Sequence, residues 1–243
     1  MRIRIADRRF APSLFATVLL ILAVAAFVRL GLWQLHRAEE KQTLLQHYAA
    51  GEQTTLDLTA VDIASIPLYQ HVRARGHYEP AQQILLDNMP SQHGVAGYRV
   101  VTPFQLEQGG WLLVDRGWVA MGATRSDLPS IPADSSERQI AGRYDTLPRA
   151  GIELAAVADT TTAWPRVMNY PHHTDIESTL KRSFVPGVVL LDPDQPEGYE
   201  RVWQARFQFG PERHLAYAVQ WFAFATAAIV IFLIVSFRRE ANR

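Results

Sequence analysis

Two long uncharged runs near the ends of the chain restrict its folding more than any other feature. From Phe10 to Val28 no residue is charged, and after a lone Arg29 the apolar run continues through Leu30-Gly31-Leu32-Trp33-Gln34-Leu35. From Leu215 to Phe237 there is again no charge. At about 1.5 Å of rise per residue the second run makes a helix of roughly 34 Å, enough to cross a hydrocarbon layer of about 30 Å. The expected fold is a membrane protein of the α+β class. Transmembrane helices at 10–35 and 214–237 flank a compact β-rich extracytoplasmic domain at 36–213, with tails at 1–9 and 238–243. A cleaved signal peptide is the alternative for the first run, since Arg-rich residues 1–9 and Ala23-Val24-Ala25 imitate that pattern. Against it, the apolar stretch continues past the small residues, and Trp33 suits the interfacial level of a retained helix.

Arg2, Arg4, Arg8 and Arg9 precede the first run, and Arg238, Arg239 and Arg243 follow the second. The excess of arginine on both tails places both termini in the cytoplasm of an inner, or cell, membrane. The intervening domain is then expected in a periplasm or an equivalent intermembrane space. Arg201, Arg206 and Arg213 approach the second span from the other side, so the first span decides the orientation. Tails this short are not expected to hold a signalling output module.

Net charge is zero, from 24 basic and 24 acidic residues, which argues against nucleic acid as a partner because phosphate recognition needs a basic surplus. Cysteine is absent, which removes disulfides, thiolate metal sites, CxxC redox chemistry and cysteine nucleophiles. Copper delivery is discouraged as well, since Met1, Met89, Met121 and Met168 form no cluster of soft ligands.

After the first run, Leu35–Ala50 is rich in Leu, Gln, Glu and Lys and should continue as helix to about Gly51. Strand-favouring segments follow at His71–Tyr78, Gln83–Asp87, Tyr98–Leu106, Trp111–Ala120, Arg138–Tyr144 and Gly187–Leu191, separated by Pro, Gly, Asn, Asp or Ser. A short helix is expected around Asp175–Arg182, capped by Thr174 or Asp175.

That domain contains no GxSxG elbow, phosphate-cradling glycine loop, HExxH or dinucleotide fingerprint, so the chain is expected not to be an enzyme. His172-His173 is read as an exposed loop pair, because neighbours on an extended chain point to opposite faces and make poor joint ligands. Asp115-Arg116 sits inside an apolar segment and is read as part of a salt bridge at a strand end or edge. Trp164-Pro165-Arg166 is read as a rigid turn that packs an aromatic ring onto the domain.

The spans carry more chemistry. His214, Tyr217 and Trp221 share one face at the start of the second helix, among the small residues Ala216, Ala218, Ala223 and Ala225. A neutral imidazole there could ligate a haem iron with the macrocycle against the helix. The alternative is an aromatic belt with a polar anchor. In the first helix Arg29, Trp33 and Arg37 recur at four-residue intervals; Arg29 inside an apolar run must pair or snorkel, and haem propionates or lipid phosphates would both satisfy it.

Gly31-Leu32-Trp33-Gln34-Leu35-His36-Arg37 with Lys41 resembles the opening signature of the Surfeit locus protein family of cytochrome c oxidase assembly factors. The resemblance continues through His71–Tyr78, Gly97–Pro103 and Leu113–Val119, and closes with His214–Phe222. Five motifs in order cover essentially the whole chain, with no clear family motif between Ala123 and Pro165. The resemblance implies a two-span protein that assists biogenesis of a haem–copper oxidase by supplying haem a to the catalytic subunit. It places a haem-contacting histidine in the second span, at His214, as the metal ligand. Around it Tyr217, Trp221, Arg37 and Trp33 complete the expected cofactor contact. Expected partners are the catalytic subunit, a haem a synthase and membrane lipid. A scaffold that binds the nascent subunit without holding haem is the alternative.

Overall fold

A computed structural model describes residues 4–5, 8–58, 66–148, 163–203 and 210–239; Arg2, Arg206 and Arg243 of the charge pattern lie outside them. In chain order the elements are β1 (Arg4–Ile5), β2 (Arg8–Phe10), α1 (Leu14–Gly51), β3 (Thr55–Asp57), β4 (His71–Tyr78), β5 (Ile84–Leu86), β6 (Gly97–Leu106), β7 (Trp111–Ala120), β8 (Arg138–Asp145), β9 (Arg166–Met168), α2 (His173–Leu180), β10 (Val188–Leu191), α3 (Pro211–Ser236) and β11 (Phe237–Arg239). They form two compact units, one from residues up to Gln46 together with the C-terminal helix, the other beginning at His47.

The first unit contains two helices long and apolar enough to cross a membrane, α1 and α3. They run antiparallel. Near one end the Phe10 and Phe237 rings lie 5.2 Å apart and Ala11 N–H donates to Ser236 O at 2.9 Å. Further along, Phe27 meets Trp221 and Phe224 at 5.8 and 5.9 Å. β2 pairs antiparallel with both β1 and β11, which joins the two ends of this unit in a small sheet. As the sequence pattern predicts, α1 passes without a break from the apolar run into the polar Gln/Glu/Lys-rich segment and stops at Gly51. Little of either apolar stretch is buried within the unit, so Leu19, Ile21 and Leu22 on α1, and Ile231, Ile234 and Val235 on α3, face outward. Such faces are stable only against lipid or another apolar surface.

The second unit is a closed sheet. β4, β8, β10, β7 and β6 pair in that order, and β6 pairs back onto the end of β4. Most of these ladders are antiparallel; β10 and β7 are parallel. Closure gives every strand of the ring two neighbours, the most complete solution to unpaired sheet edges. One core cluster draws on all five strands and marks the interior: Val72, Ala74 and Tyr78, Phe104 and Leu106, Leu112 and Val114, Ile140 and Tyr144, Val189 and Leu191. Residues of opposite parity, among them Val101, Leu113, Val188 and Leu190, form an outer cluster that α2 covers with Ile176 and Leu180.

Two strands of this unit were not expected from the sequence, nor were β1, β2 and β11 of the first. β3 adds parallel to β4, and β9 adds parallel to β5, each through three residues. Segments so short carry too little alternation to read. Trp164 packs against the outer cluster and Arg166 starts β9 with its guanidinium 5.4 Å from the Trp164 ring. The short helix also starts earlier than expected. Its N-cap is His172 rather than Thr174 or Asp175, because Asp175 at the third helical position folds back and accepts from His172 N–H at 2.8 Å.

Asp115-Arg116 departs most from expectation. The pair is neither at a strand end nor at an edge: it lies within β7, in the closed ring, with relative exposures of 0% and 1%. Both faces of this strand are covered, one by the interior and one by the outer layer, so neither charge can reach water. Between β6 and β7 the register slips, so that Arg116 and Gly117 together oppose Val100. This bulge is possible because Gly117 has φ +111, a conformation that a side chain would strain.

Candidate functional site

The ring strands hold the buried charges by separate means. Asp115 turns to the outer layer, where its carboxylate meets the Arg99 guanidinium at 2.6 Å and accepts from Gly117 N–H at 2.9 Å. Burial still raises its pKa above the ordinary carboxylate value, opposed by Arg99 and by the Gly117 N–H. Arg99 in turn lies 4.7 Å from the Trp203 ring. Arg116 follows Val114 on the interior face and donates to Gln83 Oε1 at 3.0 Å, Glu197 O at 2.8 Å and Pro132 O at 2.6 Å. Thr102 donates to the same Gln83 oxygen, and the Tyr78 and Tyr199 rings lie 5.3 and 5.2 Å from the guanidinium. Burial pushes the Tyr78 hydroxyl up to about 12 even though Arg116 and Arg138 pull it down. A charge satisfied so fully by interior acceptors has a structural part to play.

His71 opens β4 between two partners, with Nδ1 2.8 Å from Thr55 Oγ1 and Nε2 2.6 Å from Asp192 Oδ2. These contacts tie β3 and the end of β10 to β4. His173 Nε2 lies 3.0 Å from Val185 O, while His172 serves as the helix cap, so the neighbouring histidines have different tasks.

The helix pair holds the residues for which ligand chemistry was expected. Gly31, Gln34 and Ala38 recur at helical spacing and are buried on α1; Ala218 and Ala225 are buried on α3. Small residues let the two backbones approach. A Cβ added to Gly31 would stand 2.6 Å from the Phe222 ring. At this contact His214, half-buried in the first turn of α3, has Nδ1 2.8 Å from Oε1 of Gln34. An amide oxygen only accepts, so in a neutral ring this contact is a hydrogen bond in the tautomer that carries its proton on Nδ1, the one that leaves the lone pair on Nε2.

The five residues expected around a haem do not all converge. His214 and Trp221 meet α1, Trp221 by stacking on Phe27. Tyr217 is exposed beside them. At about 100° per residue Arg37 lies roughly 60° round α1 from Gln34 and Trp33 roughly 100° from it, and both are exposed. Arg37 pairs with Glu40 on its own helix. An imidazole held through Nδ1 would present Nε2 to a haem iron, which fits the donor such a group requires. Gln34 was not singled out from the sequence. The available signal was a buried-type spacing, Gly31-x-x-Gln34-x-x-x-Ala38, that puts an amide among small residues.

The five sequence motifs fall on β4, β6 and β7 of the ring and on the α1 and α3 segments in contact. Comparison with known proteins agrees with the family that those motifs resemble. A "SURF1-like protein" of Rickettsia bellii (strain RML369-C) is 38% identical over 95 residues, 37% of this chain and 38% of the relative. Longer alignments join the chain to a "SURF1-like protein" of Rickettsia felis (strain ATCC VR-1525 / URRWXCal2), 26% identical over 89% of this chain and 95% of the relative. A "SURF1-like protein" of Caenorhabditis elegans is 26% identical over 90% of this chain and 72% of the relative. The sequence pattern of the SURF1 family matches residues 21–226 of the 243, so this chain belongs to the SURF1 family.

Proposed function

We propose that the chain is a membrane-anchored assembly factor for a haem–copper cytochrome c oxidase, and that it passes haem a to the catalytic subunit through His214. Family membership supports the assembly role. The observation that carries the haem role is the contact between His214 Nδ1 and the buried Gln34 amide oxygen, which leaves Nε2 available as a ligand. Bound haem would bring its own redox and ligand chemistry; the chain would hold it with the His214 ring nitrogen, the neighbouring Tyr217 ring and an apolar helix surface. The chain breaks no covalent bond in this role and is a carrier rather than an enzyme. The outward apolar faces of α1 and α3 suit lipid and the helices of the catalytic subunit or of a haem a synthase.

The test is an absorption spectrum of the detergent-solubilised protein purified from cells that make haem a, joined to the haem a content of the oxidase in a strain lacking this chain. Wild type is expected to carry a Soret band and to restore haem a. His214→Ala and His214→Gln, still inserted in the membrane, should lose or shift the band and lower haem a in the oxidase. Normal oxidase haem with either substitution rejects the carrier and leaves a scaffold that binds the subunit alone.

A further inference from the structure

Gln34 is 9% exposed in the middle of α1, between Arg29 and Arg37, flanked on its own face by Gly31 and by Ala38 at 4%; Ala218, one turn beyond His214 on α3, is 1% exposed. A polar amide in such a place must be satisfied, and its oxygen lies 2.8 Å from His214 Nδ1. One amide is enough to join two helices, yet this bond does more than join them. It selects a tautomer. A neutral imidazole whose Nδ1–H is held by an acceptor presents an unprotonated Nε2, and the ring can no longer rotate freely about χ2.

The acceptor is also a neutral one. A carboxylate in the same position would draw the Nδ1 proton, raise the basicity of Nε2 and tighten its bond to a metal. An amide orients the ring with much less of this push. For a protein that must release what it binds, orientation without strong retention is the useful combination.

We propose that Gln34 is the positioning residue of this site: its side-chain oxygen fixes the Nδ1–H tautomer and ring orientation of His214, and its neutrality keeps the ligand bond weak enough for transfer. The second half rests on the haem reading above; the first does not. Both can be read in the full-length chain in lipid nanodiscs. With histidine labelled by nitrogen-15 and no haem present, spectra at about pH 8.5, above the ordinary imidazole range, report which nitrogen is protonated. The His214 signal is identified by its loss in His214→Gln.

Wild type should show His214 protonated at Nδ1. Gln34→Leu, close in size, should move the proton largely to Nε2, and Gln34→Glu, which keeps the acceptor, should restore the wild-type pattern. An unchanged tautomer in Gln34→Leu overturns the proposal whatever haem does. Ferric protoporphyrin titrated into the same samples gives the second reading. Gln34→Leu should bind roughly tenfold more weakly, and Gln34→Glu should bind at least as tightly as wild type but pass less haem to apomyoglobin in a fixed time. Equal transfer rates in Gln34→Glu and wild type reject the release argument. If His214→Ala binds the porphyrin as wild type does, the haem reading fails while the tautomer result still decides the role of Gln34.

Discussion

The Asp115 carboxyl, fully buried, is held by Arg99 at 2.6 Å and by Gly117 N–H at 2.9 Å, and burial outweighs both in setting its proton affinity. A carboxyl whose folded pKa is raised binds its proton more tightly in the folded state than in the unfolded chain. Its contribution to stability is therefore present below the unfolded value of 3.8 and is lost as pH rises through the folded value. Asp145, also raised by burial, adds a slope of the same sign in wild type, so the comparison needs a variant that leaves Asp145 in place. The difference in unfolding free energy between wild type and Asp115→Asn should shrink or reverse as urea titrations move upward from pH 3.8. A flat difference would mean that Arg99 compensates burial completely. The sequence shows that a charge inside an apolar strand needs a partner, and no more than that. Arg99 stands on the next strand across a bulge, and Arg116 takes its acceptors from Gln83, Pro132 and Glu197, so neither set follows from spacing along β7.

Gly76 belongs to two ladders at once: it pairs with Arg138 of β8 and with Leu106 of β6, at the point where β4 leaves one neighbour for the other. A Cβ there would stand 1.8 Å from the Gln105 carbonyl oxygen, which is backbone and cannot swing aside. Gly76→Ala should therefore open the β4–β6 seam and cost about 3 kcal/mol or more, as overpacking of a fixed backbone does. The check is the midpoint of thermal unfolding followed by circular dichroism; an unchanged midpoint would show that the seam can part without loss. Gly31 makes a useful contrast between helices. Its added Cβ would meet the edge of the Phe222 ring, which can rotate, so Gly31→Ala should be tolerated far better than Gly31→Leu. At this scale the sequence is most legible where an element is long. His71–Tyr78 and Trp111–Ala120 have the bounds that strand-favouring residues between turn-formers predict, whereas three-residue β3 and β9 depend on neighbours for their existence.

The two apolar runs make the outline of the whole molecule readable, because uncharged stretches of that length have few stable environments. Closure of the sheet is not readable in the same way. It depends on β10 entering between β8 and β7, far apart in the chain, and on β4 having partners on both sides, which are long-range choices made by packing. The helix hairpin adds a constraint that charge counting lacks. Because β2 pairs with β11 and Ala11 N–H donates to Ser236 O, the two chain ends must lie on the same side of any membrane that α1 and α3 cross. Arginine in the tails then selects which side, and the cytoplasm is the expected one. A compartment-sensitive reporter at the N-terminus and one after Arg243 should both be active in the cytoplasm, and one inserted at Ser135, in an exposed loop of the β domain, should be active only outside it. Neutralising Arg2, Arg4, Arg8 and Arg9 together should weaken this preference. Any inverted population should move both end reporters together while the Ser135 reporter moves the other way. Opposite readings from the two ends would break the antiparallel arrangement, and concordant ends on the far side would overturn the charge rule alone.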